Sequence, residues 1–156
     1  SEKGVALLQN LDSIPTSDKY EVITLWHVLE HLPDLESQIA KLVGLLTDNG
    51  TLVVAVPNFK SFDAKYYKEF WAAFDVPRHL WHFSKKSVQS IFAKHGMRLV
   101  RTKPMFFDAF YVALLSEKYK NGKQNFIKAF WIGLMSNIRA LGSKEYSSLI
   151  YILKKA

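Results

Sequence analysis

The chain has 156 residues, about one domain by length, with 49% apolar and 22% charged side chains. That much apolar surface offsets the entropy of folding and excludes a disordered or low-complexity chain. Seven Gly and five Pro exclude collagen-like and linker-like classes, and the absence of Cys excludes disulfides, thiolate zinc sites and cysteine nucleophiles.

The net charge of +7 divides unevenly, −4 over residues 1–83 and +11 over residues 84–156. A basic half suits nucleic acid, an anionic membrane surface or an anionic substrate. Here the lysines are scattered and form no run of five or six, which reads as a solvated surface, so no nucleic-acid partner is expected. No apolar run approaches the roughly 18–20 residues of a membrane helix. Ser1 is followed by no charged-then-apolar leader, so a cytoplasmic location and a start partway through a longer protein are expected.

In chain order, residues 5–8 form a short apolar strand and 10–15 a polar loop. Residues 20–26, β-branched and aromatic, predict a strand buried on both faces. Residues 27–32 turn away from it, and Pro33 opens a helix over about 34–46, with Leu35, Ile39, Leu42, Val43 and Leu46 at helical spacing. Asp48-Asn49-Gly50 reads as a turn, and 51–56 as a buried strand stopped by Pro57. Nine of the 22 aromatics lie between Phe59 and Phe83, with 59–74 an aromatic-rich helix or loop. Ser84 is a good N-cap for a helix to about His95, closed by Gly96. A strand over 97–103, a helical pair over 108–120 and 124–141, and a last strand over 147–154 complete the chain. Strands alternating with helices of this length predict an α/β fold with a mostly parallel sheet. Ligands bind such sheets at the carboxyl ends of the strands, which singles out the loops over 10–15, 26–32 and from Pro57 onward.

Three ordered segments then become specific. YEVITLWHVLEHL over residues 20–32 resembles the fourth strand and following turn of class I S-adenosylmethionine-dependent methyltransferases, in the branch that includes quinone-biosynthesis O-methyltransferases. LLTDNGTLVVAVPN over 45–58 is similar to that family's fifth-strand segment, and DVPRHLWHFS over 75–84 to the stretch before its last helix. Glu21 stands where the family prefers Asp, and Asp48-Asn49 where Pro-Gly is usual. The resemblance implies a Rossmann-like class I methyltransferase fold, truncated to strands three to seven of a seven-stranded, mostly parallel sheet with an antiparallel last strand. The seven glycines form no Gly-x-Gly, so the Gly-rich turn that wraps the cofactor in this family has no counterpart here. Residues 1–156 accordingly read as the C-terminal part of a methyltransferase domain, with 108–141 an inserted helical pair.

On that resemblance, S-adenosyl-L-methionine is the expected cofactor. Asn10, Leu11 and Asp12 would sit near its adenine, and Leu25, Trp26, His27 and Val28 would wall its sulfonium. The alternatives are a turn-stabilising carboxylate for Asp12 and ordinary strand-end packing for Trp26. Methyl transfer needs the acceptor aligned in line and relieved of its proton. Imidazoles suit that base, which makes His27, His31, His79 and His82 candidates against the alternative of structural histidines. Glu30 and His31 are adjacent, so a helix would not face both one way. Arg78 offers a forked contact to an anionic acceptor or an internal salt bridge to Asp75. No His/Asp/Glu set has metal-ligand spacing, so no metal is expected.

The helical pair reads as a lid over an apolar acceptor, with peripheral membrane contact, or as packing against the sheet or a second copy. The expected function is methylation, on oxygen, of a small-molecule acceptor such as a quinone-like phenol or a glycan precursor, by the parent protein. The fragment itself is expected to be weak or inactive and to self-associate through the exposed edge of residues 21–26. The rival reading is a non-catalytic interaction module that keeps the fold.

Overall fold

The structure, a computed structural model, describes residues 10–156; the strand expected over 5–8 lies outside them. Strands β1 (Tyr20–Trp26), β2 (Leu46–Pro57), β3 (Met97–Pro104) and β4 (Ser148–Lys155) form one sheet in the order β1-β2-β4-β3. β1 and β2 are parallel, and β4 runs antiparallel to both of its neighbours. The antiparallel last strand and the α/β class therefore stand as the sequence suggested.

Helix α1 (Leu35–Gly44) buries Leu35, Ile39 and Leu42. These three sit at the i, i+4, i+7 spacing that puts apolar side chains on one face. Helix α3 (Lys85–Ala93) opens with a capping box in which the Ser84 hydroxyl accepts from the Ser87 amide while the Ser84 amide donates to Ser87 Oγ. Gly96, at φ 70°, reverses the chain into β3. The apolar faces of α1, α3, β2 and β4 close on one core around Leu52, Val54, Phe92, Tyr151 and Leu153.

Two expectations are corrected. The Asp48-Asn49-Gly50 turn lies inside β2: Tyr20 faces Leu46 and Val22 faces Thr51, so it is looped out with Thr47 as a bulge of four residues opposite Glu21 while the ladder resumes on either side. β1 is not buried on both faces. Leu25 is buried, but Val22 is 59% and Trp26 50% exposed, because among the described residues β1 is the end strand and has one neighbour.

Between β2 and α3 lie helix α2 (Phe62–Tyr67) and two short 3-10 turns, Lys68–Phe70 and Ala72–Phe74. Between β3 and β4 stand α4 (Asp108–Asn121) and α5 (Phe126–Ser143). These elements share a second core of Ala64, Tyr67, Trp71, Val112, Ala113 and Ala129. Buried Asp63 fastens it to the sheet by accepting from Trp71 Nε1 (2.7 Å), Ser136 Oγ (2.6 Å) and Ser147 Oγ (2.7 Å). No helix among the described residues is long and apolar enough to cross a membrane.

Candidate active site at the carboxyl ends of the strands

β1 and β2 end side by side, and a cavity of about 540 Å³ opens beyond them. Its floor is His27, Pro57 and Ser148, one wall is the 72–79 segment with His31, and the other is the face of α4 carrying Asp108, Tyr111, Leu115 and Tyr119. This is where a sheet of this kind leaves space, since the chains diverge as they leave the strands.

His27 takes the left-handed conformation, φ 52°, which is uncommon outside glycine. That turn aims its ring between two carboxylates: Nδ1 lies 3.2 Å from Glu30 Oε1 and Nε2 3.1 Å from Asp108 Oδ2. The Asp108 hydrogen bond first, and then the Glu30 one, push its pKa up to about 9 against the opposing effect of burial. His27 is therefore a cation near neutrality and joins the turn after β1 to the first turn of α4.

The segment 78–81 is laced onto the turn after β1. Leu80 N donates to Glu30 O (2.8 Å), Trp81 Nε1 to Leu32 O (2.8 Å) and His31 Nδ1 to Arg78 O (3.0 Å). His79 Nδ1 donates to Ala73 O (2.8 Å). A carbonyl can only accept, so both rings donate from Nδ1 and turn Nε2 the other way, that of His79 lying 3.9 Å from Asp75 Oδ2. The two rings meet edge to face with centroids 4.6 Å apart.

Of the residues singled out in the sequence, His27, His31, Arg78 and His79 come together around this cavity. Arg78 also forms its internal salt bridge, Nη2 to Asp75 Oδ1 at 2.7 Å. His82 does not line the cavity; its Nε2 bonds to Phe74 O at 2.9 Å and its ring packs edge to face on Phe74. Leu25 is in the core, while Trp26 and Val28 stand exposed where β1 ends. Asn10 caps the 3-10 turn Leu11–Ser13. Leu11 and Asp12 line a separate hollow against the end of α1, where Asp12 pairs with Lys41.

Sequence reasoning missed Tyr111, Tyr119 and Asp108 as cavity residues. The helical spacing of 108, 111, 115 and 119 marks one face of α4, but only the fold shows which neighbour that face meets.

The profile of the methyltransferase-domain family matches residues 5–102. The chain belongs to that family. Solved structures of similar fold include mitomycin 7-O-methyltransferase, at 14% identity and a TM-score of 0.57 over 94% of this chain and 32% of that one. Another is magnesium protoporphyrin IX methyltransferase from Synechocystis with S-adenosylhomocysteine bound, at 15% identity and 0.53 over 95% and 49%. A third, an S-adenosylmethionine-dependent methyltransferase of Thermotoga maritima, gives 14% and 0.62 over 99% and 66%. At these identities the likeness is one of fold, and the chain spans between 32% and 66% of their lengths. No curated protein matches it.

Proposed function

We propose that the protein to which this chain belongs transfers a methyl group from S-adenosyl-L-methionine to an oxygen of a small acceptor, a quinone-like phenol or a glycan precursor. The observation that carries the reading is the cavity at the carboxyl ends of β1 and β2, walled on one side by imidazoles and on the other by tyrosines. Family membership supports the chemistry, and the cavity supports the acceptor side of it. Tyr111, Tyr119 and Leu115 offer a flat, apolar bed for a ring, and the Nε2 atoms of His31 and His79, turned away from their carbonyl partners, are the candidates to take the acceptor's proton. Arg78, 72% exposed at the rim, is placed to meet an anionic substituent.

On the same reading the cofactor approaches along the end of β1. Its sulfonium would lie by Trp26, His27 and Val28, with Leu25 behind them in the core, and its adenine toward Asn10, Leu11 and Asp12. Residues 1–156 would then be one part of a methyltransferase domain, with 108–141 as an inserted helical pair that closes the acceptor side. Calorimetric titration of the full-length protein with S-adenosylmethionine and S-adenosylhomocysteine tests this. Binding is expected there and weak or absent binding to the 156-residue chain; a full-length protein that binds neither compound refutes the proposal.

A further inference from the structure

Glu30 is 1% exposed, and its Oε2 has no hydrogen-bond partner. Its other oxygen is held by His27. Leaving a buried carboxylate oxygen unpaired costs free energy unless something outside the chain completes it. Beside it stand His31 and His79, and one ligating atom from each of Glu30, His31 and His79 lies within 4.8 Å of the others.

We infer that Glu30, His31 and His79 form a binding site for a single divalent transition-metal ion of the zinc type. Both imidazoles are prepared as ligands. Each donates Nδ1–H to a backbone carbonyl, Arg78 O for His31 and Ala73 O for His79, and so keeps Nε2 for a ligand, that of His79 lying 3.9 Å from Asp75 Oδ2. That outer hydrogen bond is the arrangement that fixes ring orientation and raises the basicity of a metal-ligating histidine. Two imidazoles and one carboxylate form a mixed N/O set that suits zinc and its neighbours rather than calcium or magnesium.

The frame is built as well. The hydrogen bonds from Leu80 and Trp81 amides to Glu30 O clamp the His79 segment onto the turn that carries the other two ligands. Bonds of about 2.1 Å to a tetrahedral ion place ligand atoms roughly 3.4 Å apart, so side-chain rotations that draw the three inward by about an ångström complete the set. Three protein ligands leave at least one position open, and both imidazoles line the cavity, so the ion borders it. On the methyl-transfer reading, on which this clause alone rests, the open position holds the acceptor's oxygen and lowers its pKa so that its proton leaves to water, and the two ligating Nε2 atoms act as the base only in the metal-free site.

The test is calorimetric titration of the chelator-treated 156-residue chain with Zn²⁺, repeated with Co²⁺ to read coordination from its visible absorption. Neither cofactor nor acceptor is present. One ion per chain is expected, with affinity reduced by more than about tenfold in His31→Asn and in His79→Asn. His95→Asn is the control, since His95 Nε2 pairs with Glu36 away from the cavity, and it should leave affinity unchanged. Glu30→Gln should behave as the histidine variants do, but because Glu30 is buried the conclusion rests on the two histidines, with circular dichroism confirming their fold. No stoichiometric binding, or binding indifferent to both substitutions, overturns the site and leaves the methyl-transfer proposal untouched. Metal binding without methyl transfer by the full-length protein would count against that proposal alone.

Discussion

Asp63 shows how much a single buried side chain can organise. It accepts three hydrogen bonds from donors on three separate stretches of chain, and it is wholly buried. Replacing it by Ala would leave an indole N–H and two hydroxyls without their partner. Asp63→Ala is therefore expected to lower the unfolding free energy by about 3 kcal/mol or more, with Asp63→Asn losing less, as read from urea midpoints at constant slope. His27 does comparable work between Glu30 and Asp108. His27→Ala would strip Glu30 of its one side-chain partner and free the start of α4. A loss of roughly 2 kcal/mol or more is expected in the same measurement, together with faster amide exchange in the first turn of α4. Both residues were readable as polar and one of them as a candidate ligand-wall residue. Neither partner set was readable, because Ser136, Ser147 and Asp108 lie far along the chain.

The elements themselves were largely legible. The capping serine, the closing Gly96 and the spacing of Leu35, Ile39 and Leu42 are local signals, and the helices stand where those signals put them. Errors arose where tertiary context overrode a local preference. Asp-Asn-Gly favours a turn in isolation, yet pairing with β1 before and after it makes it a bulge in β2. The α4–α5 pair adds a case in which one atom decides. A Cβ on Gly133 would come 2.7 Å from Phe110 Cδ1 and 3.0 Å from the Phe110 backbone. The glycine lets the two helices approach closely, and backbone cannot yield cheaply. Gly133→Ala is expected to cost about 1–3 kcal/mol and to lower the thermal midpoint, whereas Gly142→Ala, with open space around it, should match or exceed the parent.

At the scale of the whole molecule, two apolar surfaces remain uncovered among the described residues. One is the end strand β1 with Val22 and Trp26. The other is the outer face of the helical pair, where Phe107 is 86% and Ile127 76% exposed. Exposed edges and patches of this kind drive association. The 156-residue chain is therefore expected to sediment above monomer mass, and Val22→Lys on the β1 edge to return it toward monomer. A monodisperse monomer of the unmodified chain would refute this.

The sequence alone determined the α/β class, the order of strands and helices, the family and the residue types available for chemistry. Those are written in local periodicity, in caps and in short ordered segments such as VLEHL, which need no knowledge of distant partners. The tertiary structure alone decided which candidates meet. It brought His79 to Glu30 and His31, placed α4 opposite them, and left His82 turned to Phe74. The physical reason is that sites form from backbone hydrogen bonds and packing between segments far apart in the chain. Sequence spacing carries no trace of those contacts, so a Glu-His-His set spread over two loops was invisible until the sheet closed.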